Sequence, residues 1–165
     1  MEPSASEPNQ ESSRLQKLTK RYPLLFTKQE QEPFTLFGFE CRDGWYNILA
    51  AAFDALYAPF KNAQRDVAWY TKSIQTNPDD EQARANLQNA IDKLDVVQSA
   101  LPVFVQIKEK FGSLRMYYDG GDARAAGIVD MAETLSSCSC EVCGAPATTQ
   151  PGRWVSTLCP QHAKQ

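Results

Sequence analysis

Cys140-Glu141-Val142-Cys143 and, after fifteen intervening residues, Cys159-Pro160-Gln161-His162 set two pairs of soft donors at spacings that close around one metal ion. His162 is the only histidine among 165 residues, and its place three residues after a cysteine marks it as a ligand. Three thiolates at about 2.3 Å and an imidazole nitrogen at about 2.0 Å satisfy the tetrahedral preference of Zn2+, and four protein donors leave no position for water. One structural zinc ion is the cofactor this pattern predicts. Gly144, directly after Cys143, permits a tight turn in which backbone amides approach the sulfurs. Thr148 to Leu158 contains a Pro151-Gly152 turn and the strand-like run Arg153-Trp154-Val155-Ser156-Thr157-Leu158, which reads as a small hairpin. Pro160 stands where proline favours the first turn of a helix, so Cys159 and His162 are expected at a helix start. Knuckle, hairpin and ligand-bearing helix make up a treble-clef-like zinc subdomain.

Ordinary buried thiols or a disulfide framework are the plainer alternatives. Five cysteines are an odd number, and the polar, acidic start lacks the apolar segment of a secretory signal, so a reducing compartment is expected. Cys138 is too near Cys140 to bite a metal as well as Cys143 does and reads as a spare thiol, while Cys41 reads as a core residue. Zinc deaminases need a histidine and a glutamate upstream of the cysteine pair, and hydrolytic zinc sites keep a water position; neither pattern is present. With His162 committed to metal no histidine remains as a general base, so an enzyme would have to run on carboxylates. Asp79, Asp80 and Glu81 follow Asn77-Pro78 and precede a helical pattern, where acids complement the helix dipole. Glu40 and Asp43 are the acids that would hold a divalent ion for phosphodiester chemistry, with no third acid evident.

The chain is long enough, at 42% hydrophobic residues, to bury one main core beside the zinc subdomain. A net charge of −3 argues against general nucleic-acid binding, which needs a basic face, but leaves room for a local basic patch. No apolar run approaches the roughly twenty residues of a membrane span, and no small-molecule substrate is evident.

The elements that must carry the metal site follow from periodicity. Residues 1 to 14 are almost wholly polar and are expected to form a disordered tail. Leu15 to Phe26 reads as a short helix interrupted by Pro23, and Phe34 to Phe39 as a second aromatic arm. Asp43 is expected to cap a core helix carrying Trp45, Ile48, Leu49, Ala52, Phe53 and Leu56, broken at Pro59. Asn62 to Ile74, and the segment after Pro78 with Ala83, Leu87, Ala90, Leu94 and Val97, read as an antiparallel helical hairpin. From Val103 the period becomes two, predicting a β-hairpin of Val103, Val105 and Ile107 against Leu114, Met116 and Tyr118. Its loop end combines Lys108, Lys110, Phe111 and Arg115, types that can touch phosphate and stack on a base; the same lysines also suit protection of an exposed strand. Ala125, Ile128, Ala132 and Leu135 mark a helix that delivers the chain to the knuckle. The expected fold is α+β: residues 15–136 form a helical core with a helical hairpin and a β-hairpin, and 137–165 the zinc subdomain.

Three segments carry a resemblance: Gly38-Phe39-Glu40-Cys41-Arg42-Asp43-Gly44-Trp45, then Ile107 through Tyr118, then Cys140 to Gly144 with Trp154 through His162. Together they resemble a group of small, largely uncharacterised proteins encoded by tailed bacteriophages and prophages, over roughly Tyr22 to His162. Arg42 departs from the glycine usual before Asp-Gly-Trp in that group. The resemblance implies a setting, the cytoplasm of an infected bacterial host, and brings no activity with it.

The expectation is a non-enzymatic phage-encoded protein that binds a host or phage macromolecule, with inhibition of a defence system as one outcome. Lys108, Lys110, Phe111, Arg115, Arg153 and Trp154 are the candidate partner-binding residues. Nucleic-acid binding through the zinc clef and basic hairpin is the first alternative, and a carboxylate-metal nuclease built on Glu40 and Asp43 the second. Those two acids are equally suited to an ion-pair network with Lys108 to Arg115.

Overall fold

A computed structural model describes residues 14–150, 152 and 154–163. Its helices are α1 (Gln16–Arg21), α2 (Pro33–Phe37), α3 (Tyr46–Thr76), α4 (Glu81–Ser99) and α5 (Ala123–Ser136). Its strands are β1 (Phe39–Glu40), β2 (Pro102–Lys110), β3 (Ser113–Gly120), β4 (Thr148–Gln150) and β5 (Ser156–Leu158), with 3-10 turns at Pro23–Leu25 and Asp43–Trp45. The fold is α+β: a helical layer on one three-stranded sheet, followed by a small Cys/His-bearing subdomain. Of the expected tail, only Arg14 falls among the described residues; its guanidinium lies 4.3 Å from the centre of the Tyr46 ring.

The sheet has the order β1-β2-β3. β1 lies parallel to β2, with Phe39 opposite Ile107, and β2 pairs antiparallel with β3 from Pro102 opposite Gly120 to Lys110 opposite Ser113. The strands run closer to the tip than the sequence pattern suggests. Only Phe111 and Gly112 form the turn, both at positive φ (55° and 76°), the I′ geometry that matches strand twist. The expected in-facing row of Val103, Val105 and Ile107 is corrected by an irregularity between Phe104 and Gln106. This bulge moves the apolar face by one residue, so Phe104 and Ile107 are the fully buried pair.

The outer edge of β3 is not left open. The Leu114 N–H donates to Ser136 Oγ and the Met116 N–H to Glu133 Oε1, each at 2.8 Å, so α5 side chains take the donors that an edge strand would otherwise present to another chain. α5 itself starts on Asp122, which accepts from the Ala125 N–H at 2.8 Å. Through Glu133 and Ser136 the C-terminal half of the helix is tied to the sheet it covers.

α3 differs from expectation in its length: it runs through Pro59 for 31 residues instead of ending there. A proline within a helix deprives the carbonyl four residues earlier of its donor. Here that carbonyl belongs to Ala55, and Arg124 Nη2 donates to it at 2.7 Å. Leu56, Tyr57, Phe60 and Ala63 are buried on either side of the proline, so the same core continues to stabilise the helix past it. Asp43 does not take the N-cap of α3; it opens the 3-10 turn, and Trp45 stands at the cap position.

Beyond Ala63, α3 and α4 form the expected helical hairpin, on a thin seam in which Ala83 and Ala90 are the buried residues of α4. Asp80 caps α4, accepting from the Ala83 N–H at 2.8 Å, so the acid cluster at 79–81 lies at the helix start, where its charge is expected, and one member also serves as cap. The main core lies between the first half of α3, α5 and the sheet. Phe26, Phe34, Phe53 and Phe104 meet there, with the Phe26 and Phe34 rings stacked at 4.7 Å. No helix among the described residues is long and apolar enough to cross a membrane.

Loss of the guanidinium should matter chiefly because of the proline. Arg124→Ala is expected to lower unfolding free energy by about 1 kcal/mol in the native background and by less in a Pro59→Ala background, where the helix supplies its own donor. Chemical denaturation of the four chains checks this; equal losses in both backgrounds would contradict it.

Candidate metal centre

Cys140 and Cys143 leave the chain in a tight turn just after α5. The Gly144 N–H returns to the Cys140 carbonyl at 2.8 Å, with Gly144 at φ 76°, and the Cys140 N–H donates to Ala145 O at 2.8 Å. Cys159 and His162 come from the turn after β5, in which the His162 and Ala163 N–H groups both bond Cys159 O, at 3.0 and 2.9 Å. This is a single turn among the described residues, where the sequence pattern predicts a helix start. The turn still suffices, since Cys159 Sγ lies 3.2 Å from His162 Nδ1.

Donor atoms of Cys140, Cys143, Cys159 and His162 all lie within 4.8 Å of one another. Cys143 and Cys159 sulfurs are 3.7 Å apart, and Cys140 Sγ is 3.5 Å from His162 Nδ1. A tetrahedral zinc ion at ordinary bond lengths would hold two sulfurs about 3.8 Å apart and a sulfur and a nitrogen about 3.6 Å apart. The donor set is therefore close enough to hold a metal ion.

Charge follows the same arrangement. Burial works against ionisation of Cys140, yet the backbone N–H groups of Cys159, Cys143 and Val142 outweigh it and bring the thiol down to about 6. Cys159 is lowered too: burial opposes it, and the His162 backbone and imidazole overcome that. His162 is raised by its bonds to the Cys159 and Cys140 sulfurs. Cys143 is raised; the Ala145 N–H favours its thiolate, but burial and the neighbouring Cys140 and Cys159 sulfurs prevail. The surroundings thus favour the thiolate at Cys140 and Cys159 and the proton at Cys143 and His162, and metal binding would displace protons from the donors. Because the Cys140 thiol titrates below its ordinary value of 9.0, its contribution to stability is complete above that value and is lost as pH falls through about 6.

The knuckle is seated on the core by backbone. Gly44 N–H donates to Glu141 O at 3.0 Å, and Trp45 Nε1 donates to Ser139 O at 2.8 Å from a fully buried ring. A Cβ on Gly44 would overlap the Cys140 carbonyl and stand 2.6 Å from Glu141 O; one on Gly144 would stand 2.7 Å from Gly44 O. Asp-Gly-Trp thus serves as the socket for the metal turn, a role that sequence reasoning missed. The signal was a glycine in a segment with no need of a turn residue, which marks a close backbone approach. Arg42, at φ −88° and ψ 158°, is extended, so its position has no need of glycine; its guanidinium pairs with Glu141 at 3.3 Å.

The β-hairpin tip is fixed to the same subdomain. Thr157 on β5 donates from Oγ1 to Gly112 O at 2.5 Å, and its carbonyl accepts from the Glu141 N–H at 3.0 Å. Glu109 Oε1 accepts from the Gly112 N–H at 2.6 Å, closing the tip from inside.

The candidate partner-binding residues separate. Phe111 and Trp154 are 70% and 79% exposed and flank the junction of hairpin tip and clef. Lys110 lies over Phe111 at 5.5 Å and Lys108 over Tyr117 at 5.3 Å, on the outer sheet face. Arg115 is drawn away to Glu133 on α5, at 3.6 Å, and bonds Ser113 and its own strand. Arg153 lies outside the described residues. Glu40 and Asp43 are both exposed, and Glu40 accepts from Gln106 Nε2 at 2.9 Å instead of entering a buried network with Lys108 or Arg115. Among the described residues no third acid joins them in a metal-holding group. Cys138 is exposed, outside the ligand set, with its thiol on Leu135 O at 3.2 Å. Cys41 is partly buried against the core, its thiol pushed up to about 12 by burial and by Asp43 and Glu40.

No protein-family model, curated protein or solved structure matches the chain.

Cys143→Ser and Cys159→Ser should each abolish stoichiometric metal binding and unfold the last thirty or so residues, since metal binding in small fingers is worth about 10–16 kcal/mol. Metal analysis of the purified chain and thermal melting with and without chelator check this. An unchanged melting curve after chelation would contradict it.

Proposed function

We propose that this is a phage-encoded, non-enzymatic adaptor, held in shape by one structural zinc ion and acting in the cytoplasm of the infected host by binding a host or phage protein. Inhibition of a bacterial defence system is the outcome that best suits such an adaptor. The observation that carries the reading is the joint between hairpin tip and clef. A closed Cys3His donor set and the Thr157 to Gly112 bond fix two separate segments, and beside that joint the chain presents two large aromatic side chains, Phe111 and Trp154, to solvent. Aromatics presented on a rigid frame lose little entropy on binding and are the usual anchors of protein interfaces. Zinc supplies cross-linking in this reading and no chemistry, because all four positions belong to the protein. The only histidine of the chain is among those donors, which leaves no imidazole for acid-base work.

Nucleic-acid binding is the second reading, favoured by Lys108 over Tyr117 and Lys110 over Phe111. Cation and aromatic ring together are what a single strand stacks on. Against it stand Glu40, Glu109 and Glu141, which line a cleft with Trp154.

Affinity capture of the tagged chain from bacterial lysate, with and without nuclease, separates the readings. A stoichiometric protein that survives nuclease, and is lost from Phe111→Ala with Trp154→Ala, is the expected result. Recovery that vanishes with nuclease, or that the double substitution leaves intact, would overturn the adaptor surface.

A further inference from the structure

α5 turns Ala123, Arg124, Gly127, Asp130, Met131 and Leu135 toward solvent. With α3 it walls an apolar groove of about 460 Å3 whose floor is small: Ala51, Ala55 and Ala123 lie along it, and Met131, 65% exposed, stands at its rim. Three features of this face are not fully used among the described residues. Glycine is a poor residue for a helix interior, yet a Cβ on Gly127 would meet nothing within 4 Å, so the fold itself does not require it. Arg124 bonds the Ala55 carbonyl and has no carboxylate partner among the described residues, although its guanidinium carries further donors. Asp130, nearly two turns on, is exposed and likewise forms no ion pair among the described residues.

These residues are arranged symmetrically about Gly127. Arg124 and Asp130 lie three positions before and after it, and Ala123 and Met131 four positions before and after. We propose that this face binds a second copy of the chain, α5 against α5 and antiparallel, about a two-fold axis at Gly127. The two glycines meet on the axis and let the backbones approach. Met131 of each copy packs on Ala123 of the other, and Arg124 of each pairs with Asp130 of the other. An isologous interface makes every such contact twice, so complementarity within one helix suffices for closure. Antiparallel helices also bring opposite dipole ends together. The surface lies on α5, apart from Phe111 and Trp154, and does not rest on the adaptor reading.

The test is the oligomeric state of the metal-loaded full chain, by sedimentation equilibrium and light scattering over a range of concentration. A concentration-dependent dimer is expected. Asp130→Arg should weaken it about tenfold or more by placing Arg against Arg, and Arg124→Glu should do the same by placing Glu against Asp. Mixing those two variants should restore a heterodimer, because each contact then joins opposite charges. Gly127→Leu should abolish association while leaving the melting of the dilute chain intact, which separates blocked docking from misfolding. A monomer up to millimolar concentration would overturn the proposal, as would a dimer indifferent to both Asp130→Arg and Gly127→Leu.

Discussion

The backbone contact between Gly44 and the Cys140–Gly144 knuckle is the constraint on which the rest of this structure depends. Two turns from opposite ends of the chain approach so closely that neither admits a side chain at the point of contact. One is the entrance to α3, the longest helix of the core; the other holds two of the four residues that could hold a metal ion. The Gly44 to Glu141 and Trp45 to Ser139 bonds satisfy polar groups that this approach buries, so the cost of desolvating them is offset. Order in the donor set and order at the start of α3 are therefore one property.

Around that contact, the chain repeatedly supplies a side chain where regular structure leaves a backbone group without a partner. Arg124 serves the carbonyl that Pro59 deprives, Ser136 and Glu133 serve the edge of β3, and Thr157 serves the hairpin tip. Three of these four bonds lead to or from α5, and the last leads into the metal subdomain. The result is a hairpin tip fixed to the small subdomain through Thr157, with Phe111 exposed at its turn.

Much of this was legible in the sequence, and the remainder was not for definite reasons. The Cys-x-x-Cys and Cys-x-x-His spacings name the donor set outright, because ligand bite restricts spacing within each pair. The acid-bearing start of α4, the α3/α4 hairpin and the β2/β3 hairpin follow from local start signals and periodicity. Pro59 misleads because its local effect, breaking a helix, is cancelled by an arginine 65 positions later, a partner that no window of sequence contains. The Phe104 bulge misleads because alternation cannot announce its own slip. Gly44 carries its meaning only once the knuckle is known to lie against it, and Arg115 loses its place on the basic face to a glutamate on a helix whose position is set by tertiary packing.

The most direct test of this account is Gly44→Ala, a single methyl group placed where no room exists. If core and metal site are one unit, the substitution lowers stability by about 1–3 kcal/mol, and the same variant releases its metal to a competing chelator more readily than the native chain. A Gly44→Ala protein that melts and holds metal as the native chain does would contradict the account.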